Sequence, residues 1–376
     1  MSVQVVTGVA PQWADHVGDD VPIHASAPWI GATSHRLTRR RLTFLAEHGG
    51  QRGGLMAAVV ENPAADEMIN LYGTLLADPK VWKFPESSVA ARARLRGQVP
   101  PAADWVPHLA VMYPGFDTFV AADGGPSAGL VAGMIDGVLD WAAEHEMKAV
   151  TLPCVRADTA LPQALAERGF RAIPLTYRSR LALRESFADY LAGLPRKWRW
   201  KVTNEQRLLA DAGVRTKRCS IDDVWPDVLA LRCDLVERYG QKASEELETI
   251  NMRQLITCFG EDQTRLYCSS LDDRIVGFSL YAIWGDTWYG AYTGTYGGPQ
   301  TRGVYFDHFF YAPIADASVE GAATLDVGIG AWASKRHRGC ELTEVDLWVR
   351  ALDPAVERAV EIAAAPMLRE EGWVSA

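Results

Sequence analysis

Long hydrophobic runs are missing from this chain, and so are cysteines spaced to hold a metal. With no run of about 18 apolar residues, and an opening segment MSVQVVTGVAPQWADHV without the basic-then-apolar order of a secretory leader, the expectation is a cytoplasmic protein that does not span a membrane. The six cysteines, Cys154, Cys219, Cys233, Cys258, Cys268 and Cys340, include no Cys-x-x-Cys or paired Cys/His spacing, so no metal site is expected and the thiols should be reduced and mostly buried. Positive charge is also in deficit, 38 Lys and Arg against 47 Asp and Glu, a formal net charge of −9. That balance excludes a general nucleic-acid coat protein but leaves room for local phosphate sites. There is no Gly-x-Ser-x-Gly elbow and no histidine with a convincing serine or cysteine partner, which ranks covalent nucleophilic catalysis low.

What the chain does have is 376 residues, 48% of them hydrophobic, enough for two or three compact domains. Its basic residues are clustered, at Arg36 to Arg41, Arg92 to Arg96, Arg196 to Lys201, Arg215 to Arg218 and Lys335 to Arg338. A polyanion would therefore meet patches of positive charge on an acidic molecule.

The segment Tyr311 to Val349 admits two incompatible readings. Thr324-Leu325-Asp326-Val327-Gly328-Ile329-Gly330 looks like an apolar strand entering the glycine turn of a methyltransferase or dinucleotide site, with Asp346 as the ribose-binding acid about 20 residues on. Too few residues follow Gly330 for the strand and helix pairs that a doubly wound sheet still needs, so this reading is not the expected one. In the other reading Tyr311 to Glu320 is helical, Ala323 to Val327 is a strand, Lys335 to Gly339 is a turn, Glu341 to Val349 is the last strand and a helix starts at Pro354.

That second order resembles the C-terminal part of GNAT acyltransferases of the FemAB-like, peptidoglycan-biosynthesis type. The residues that carry the resemblance are Tyr311, Ile314, Ala317, Gly321, Asp326, Gly328, Gly330, Lys335, Arg338 and Gly339. It implies an α/β (α+β) fold of tandem GNAT-like domains, with mixed, mostly antiparallel sheets flanked by helices. Residues 108 to 183 and 264 to 350 each read as strands and helices in a similar order, without close identity between them. The expected organisation is a first domain over 1–185, basic connecting helices over 186–213 and a second domain over 214–376.

In the connecting segment SFADYLAGLPRKWRWKVTNEQRLLADAG, Leu194, Trp198, Val202, Leu208 and Leu209 fall near helical spacing. Arg196, Lys197, Arg199 and Lys201 then crowd the first turns, where the helix dipole disfavours cations. A solvated charged face is the plain reading. The flanking Trp198 and Trp200 favour an anion and base platform equally, and the resemblance implies that such basic groups bind nucleotide pyrophosphate or the transfer-RNA backbone.

Acyl transfer to an amine needs a deprotonated nucleophile, a donor for the oxyanion and a proton for the leaving group. The resemblance assigns the oxyanion to Lys335, whose plain reading is an exposed loop cation. For proton handling, a helix through Tyr305 and Asp307 to Tyr311 sets Asp307 and Tyr311 on one face, with Phe306, Phe309 and Phe310 as cover. His308 is read as core or surface rather than catalytic. The aromatic strand Trp284 to Tyr296 offers Trp288 and Tyr292, and the loop after a helix offers Tyr239, as walls of an acceptor pocket shared with Tyr311; packed core is the plain reading for at least half of the strand's aromatics.

The best local match to a coenzyme A pyrophosphate turn is Gln300-Thr301-Arg302-Gly303-Val304-Tyr305, where Tyr305 stands at the position that needs a small residue. With Arg302 still counted among the phosphate-binding candidates, the expected donor is aminoacyl-tRNA, used as a cosubstrate with no bound cofactor. Acyl-CoA is the alternative donor, and the acceptor is a small-molecule or peptide amine. A non-catalytic ligand-binding module and an S-adenosylmethionine-binding methyltransferase are the competing readings from other classes.

Overall fold

The structure, a computed structural model, describes residues 2–36, 40–64, 69–76, 93–298 and 303–369. It forms two compact units. Unit 1 comprises Met1–Ile30, Ser34–Tyr177 and Thr343–Ala376, and unit 2 comprises Gly31–Thr33 and Arg178–Leu342.

Unit 1 opens with strand β1 (Val3–Thr7), the short helices α1 (Trp13–Val17) and α2 (Ala27–Thr33), and then β2 (Arg41–His48), β3 (Gln51–Val60) and β4 (His108–Val111). These strands pair antiparallel in sequence order, and β4 then pairs parallel with β5 (Ala149–Arg156). Alternation along β2 sends Leu42, Phe44 and Ala46 to one face and Leu45 to the other, and both faces are covered. On the first face lies α3 (Ala128–Glu144), whose buried Leu130, Val131, Met134, Ile135, Val138 and Trp141 recur at helical spacing. Each such side chain removed from water contributes about 1.5–3 kcal/mol, which is what fixes the helix to the sheet. Ser127 caps the helix by accepting from the Leu130 amide.

Unit 2 repeats this order. Strand β7 (Arg215–Arg218) is followed by helices α4 (Ile221–Arg238) and α5 (Glu245–Phe259) and by β8 (Thr264–Leu271), β9 (Arg274–Trp284) and β10 (Thr287–Thr295), all antiparallel in sequence order. A helical segment leads to β11 (Thr324–Ile329), which lies parallel to β10. The β8–β9 turn is Asp272-Asp273 with both residues at positive φ, as a two-residue hairpin of matching twist requires. The repeat therefore starts earlier than the sequence pattern indicates: β4, at 108, corresponds to β10 rather than to the strand at 264.

The expected boundaries at 185 and 213 also differ from the observed division, and strand pairing supplies the reason. Strand β6 (Arg171–Ala182) passes into unit 2 at Arg178, and its second half pairs antiparallel with β11. The last strand, β12 (Glu341–Ala351), bonds antiparallel to β5 over Val345–Ala351, which assigns it and the final helix from Pro354 to unit 1. Each half of the chain thus gives its last strand to the sheet begun by the other half. The Rossmann alternative is excluded by the same pairings, since β11 has one parallel and one antiparallel neighbour.

Candidate functional site

In unit 2 the parallel register of β10 and β11 runs over three pairs, Thr287↔Thr324, Trp288↔Leu325 and Tyr289↔Asp326. It stops there, although β10 continues to Thr295 and β11 to Ile329. Both strands carry an irregularity at that point, between Gly290 and Tyr292 in β10 and between Asp326 and Ile329 in β11. A bulge bends a strand and ends its pairing, so the two strands form a fork. Backbone groups released from a ladder seek other partners, from the chain or from a ligand.

The β11 arm finds one in Lys335. Residues Trp332–Arg336 form a short helix, α6, which takes in the first two residues of the expected Lys335 to Gly339 turn; His337 to Gly339 keep it, and Lys335 is 3% exposed. Its ammonium donates to the carbonyls of Val327, Gly328 (3.3 Å) and Ile329 (3.0 Å). An ammonium has three N–H donors, and three carbonyls claim them. Lys335 is thus not an exposed loop cation; it ties down the end of β11. Just before this bend Asp326, fully buried, bonds Arg178 at 2.8 Å and Arg180 at 3.0 Å and accepts from the Gly328 amide. Burial alone would raise its pKa, but the two guanidinium groups and the amide outweigh that and hold it below the ordinary carboxylate range.

Between β10 and β11 the chain runs through Val304–Phe306, a π-helical turn at Asp307–Tyr311 and helix Ala312–Val319. Two glycines let this turn press on the sheet: a Cβ on Gly277 would meet the His308 ring at 2.6 Å, and one on Gly290 would meet Phe309 at 2.8 Å. Asp307 and Tyr311, which helical spacing would set on one face, do not share a network. Asp307 turns to Thr216 of β7, whose hydroxyl donates to it at 2.5 Å, and burial raises its pKa against that bond. His308 is fully buried, bonds Thr295 at 2.8 Å and is pushed down to about 3 by burial, as a neutral core residue. Tyr305 stacks on Phe309, its pKa raised first by burial and then by nearby Tyr239.

Tyr311 joins a different network. Its hydroxyl donates to Glu205 Oε2 at 2.5 Å and accepts from Arg338 Nε at 3.1 Å, while Arg338 also donates to Glu205 Oε2 at 2.7 Å and to the Ser334 carbonyl at 2.9 Å. Arg338 is 1% exposed, with its Cζ over the Phe306 ring, 3.0 Å from the centroid. Glu205 comes from helix α7 of the connecting segment (Arg196–Asp211), which follows Phe187–Gly193. The residue was not singled out in the sequence, yet the signal exists. Trp198, Val202, Glu205 and Leu209 share one helical face, and an acid in an otherwise apolar stripe needs a partner.

The cations of that helix divide by role. Arg199 donates to the carbonyls of Ala192 and Leu194 and closes the end of the preceding helix. Arg196, Lys197 and Lys201 are exposed, beside Trp200 at 68% exposure, and Trp198 contacts the His337 ring at 5.4 Å. His337 has its pKa lowered by desolvation and then by Lys201, Arg338, Lys197 and Arg336, which defines one positively charged surface. Of the expected pocket walls, Trp288 at 1% and Tyr292 are core, each with an arginine over its ring; Tyr311 is buried in the Glu205 network and Tyr239 is exposed at the end of α4. Arg302 lies outside the described residues. Among the described residues no group of three His, Cys, Asp or Glu gathers to hold a metal, and no helix is long and apolar enough to cross a membrane.

The chain matches the model of the FemAB-like family, described as peptidoglycan biosynthesis/recognition, over residues 106–365. No curated protein matches it in sequence. The crystal structure of FemX superposes with a TM-score of 0.59 at 13% identity, covering 96% of this chain and 100% of that one. A tandem GNAT protein from the clavulanic acid biosynthesis pathway has a TM-score of 0.50 at 14% identity, covering 94% and 99%. At such identities the likeness concerns the fold, which is the mixed, mostly antiparallel, helix-flanked architecture described above. With more than half of its length matched by the family model, the chain belongs to the FemAB-like family.

Proposed function

We propose that unit 2 transfers an aminoacyl group from aminoacyl-tRNA to a small-molecule or peptide amine by direct attack, without a covalent enzyme intermediate. Family membership supports an acyltransferase role in general. The observation that carries the finer reading is the positively charged, tryptophan-bearing surface of α7, on the helix that also delivers Glu205 to the buried Tyr311–Arg338 pair. Exposed cations attract a phosphate backbone, and exposed indoles stack bases. In this reading the acyl carbonyl enters the β10–β11 fork, where backbone amides freed by the Gly290–Tyr292 bulge receive the oxyanion. Lys335 acts by holding β11 in shape.

Acyl-CoA remains the second donor, favoured by one observation: Gly303, at φ 93°, opens the helical segment that follows the fork strand β10. Incubation with a charged transfer-RNA pool and, separately, with acetyl-CoA decides between them by which acyl bond is consumed. Replacing Arg196, Lys197 and Lys201 together by glutamate should weaken transfer-RNA binding by more than tenfold at low salt and flatten its salt dependence. Consumption of acetyl-CoA with the charged pool untouched refutes the transfer-RNA reading.

A further inference from the structure

Glu205 has one oxygen committed and one to spare. Both of its hydrogen bonds, from Tyr311 and from Arg338, fall on Oε2, and Oε1 takes none among the described residues. The side chain is 19% exposed, whereas its Arg338 partner is 1% exposed. A carboxylate gripped on one oxygen by two buried donors has a fixed orientation, so Oε1 is held at a defined position.

The surroundings give that oxygen a specific use. Desolvation first, and then Lys201, Arg338, Lys197 and Arg336, disfavour the protonated form of His337, the residue next to Arg338 in the chain. The same field disfavours an ammonium and favours a neutral amine. A carboxylate oriented by two donors on one oxygen can accept an N–H of the attacking amine on the other and take up its proton as the new bond forms.

Resting on the acyl-transfer reading above, we propose that Glu205 is the general base of the reaction, with Oε1 receiving the proton of the acceptor amine and Tyr311 and Arg338 as positioning residues. The amine nitrogen forms the new C–N bond as the ester C–O bond breaks. The proton passes from nitrogen to Oε1 and from there to the departing ribose oxygen, which regenerates the carboxylate.

The test uses the full chain, a charged transfer-RNA pool as donor and two probe acceptors, glycinamide and hydroxylamine, with the uncatalysed reaction subtracted. Glycinamide has a proton to lose at neutral pH; hydroxylamine is already neutral and needs little help. Glu205→Gln should lower kcat with glycinamide by about 100-fold or more and with hydroxylamine by less than about tenfold. Glu205→Asp, which keeps the charge but draws it back, should show the same split. Equal losses with both amines, or no loss with either, would overturn the assignment of Glu205 while leaving acyl transfer standing. Failure of the unaltered protein to use either amine overturns the acyl-transfer reading, and the assignment with it.

Discussion

Replacing Lys335 by methionine separates two accounts of this residue that otherwise predict the same loss of activity. The ammonium is buried and donates to the carbonyls of Val327, Gly328 and Ile329. Hydrogen bonds to a charged group contribute about 1.5–3 kcal/mol each, but three that share one ammonium are not additive, and methionine refills much of the volume. A net loss of about 3 kcal/mol is expected, well above the typical surface substitution. For a unit of this size that lowers the melting temperature by about 6–12 °C. The assay is a thermal melt followed by tryptophan fluorescence, with turnover measured at a temperature where the variant is still folded. If instead Lys335 serves the oxyanion directly, Lys335→Met should melt within about 2 °C of the unaltered protein while kcat falls by about 100- to 1000-fold. That outcome would refute the structural account of the β11 tie.

Three further outcomes are expected. Tyr311→Phe deletes a buried hydroxyl between Glu205 and Arg338, and should destabilise by about 1–2 kcal/mol in urea unfolding. Asp346 on β12 is pushed up to about 6 by burial and by Glu344. The folded state then holds its proton more tightly than the unfolded chain, so stability falls as pH rises from about 4 to 6. Asp346→Asn should remove that loss, raising stability by about 1 kcal/mol at pH 8, after discounting for partial exposure, and by nothing at pH 4. His308, held neutral by burial down to about pH 3, contributes stability that is present above its unfolded value near 6.5 and lost as pH falls below it. His308→Gln should flatten that acid limb in melts between pH 6.5 and 4, and an unchanged slope counts against the assignment.

Period and turn chemistry are local, and where they governed the structure the sequence was readable. The strands Thr324–Ile329 and Glu341–Ala351 and the helix beginning at Pro354 all lie where alternation and punctuation put them. What failed was whatever depended on which strand a segment pairs with. The division of the chain into units follows from β12 bonding to β5 and from the second half of β6 bonding to β11. Those pairings join segments far apart in sequence, and no local pattern encodes them.

The site was half legible for the same reason. Lys335, Tyr311 and the cations of α7 stand out in the sequence because they lie in recognisable local patterns, but the contacts of each are set by a distant partner. Lys335 serves the β11 carbonyls, Arg199 serves a neighbouring helix end, and Tyr311 serves Glu205. Asp307 and Tyr311 show how distant partners divide residues that spacing puts together. Counted by helical spacing they share a face, yet one bonds to β7 and the other to α7. The π-helical turn that carries them needs the space given by Gly277 on β9 and Gly290 on β10. An alanine at Gly290 should therefore move Phe309 and the turn behind it, shifting Tyr311 away from Glu205. The expected result is a loss of acyl transfer larger than the loss of stability would explain, since the carboxylate would keep only Arg338 to hold it in place.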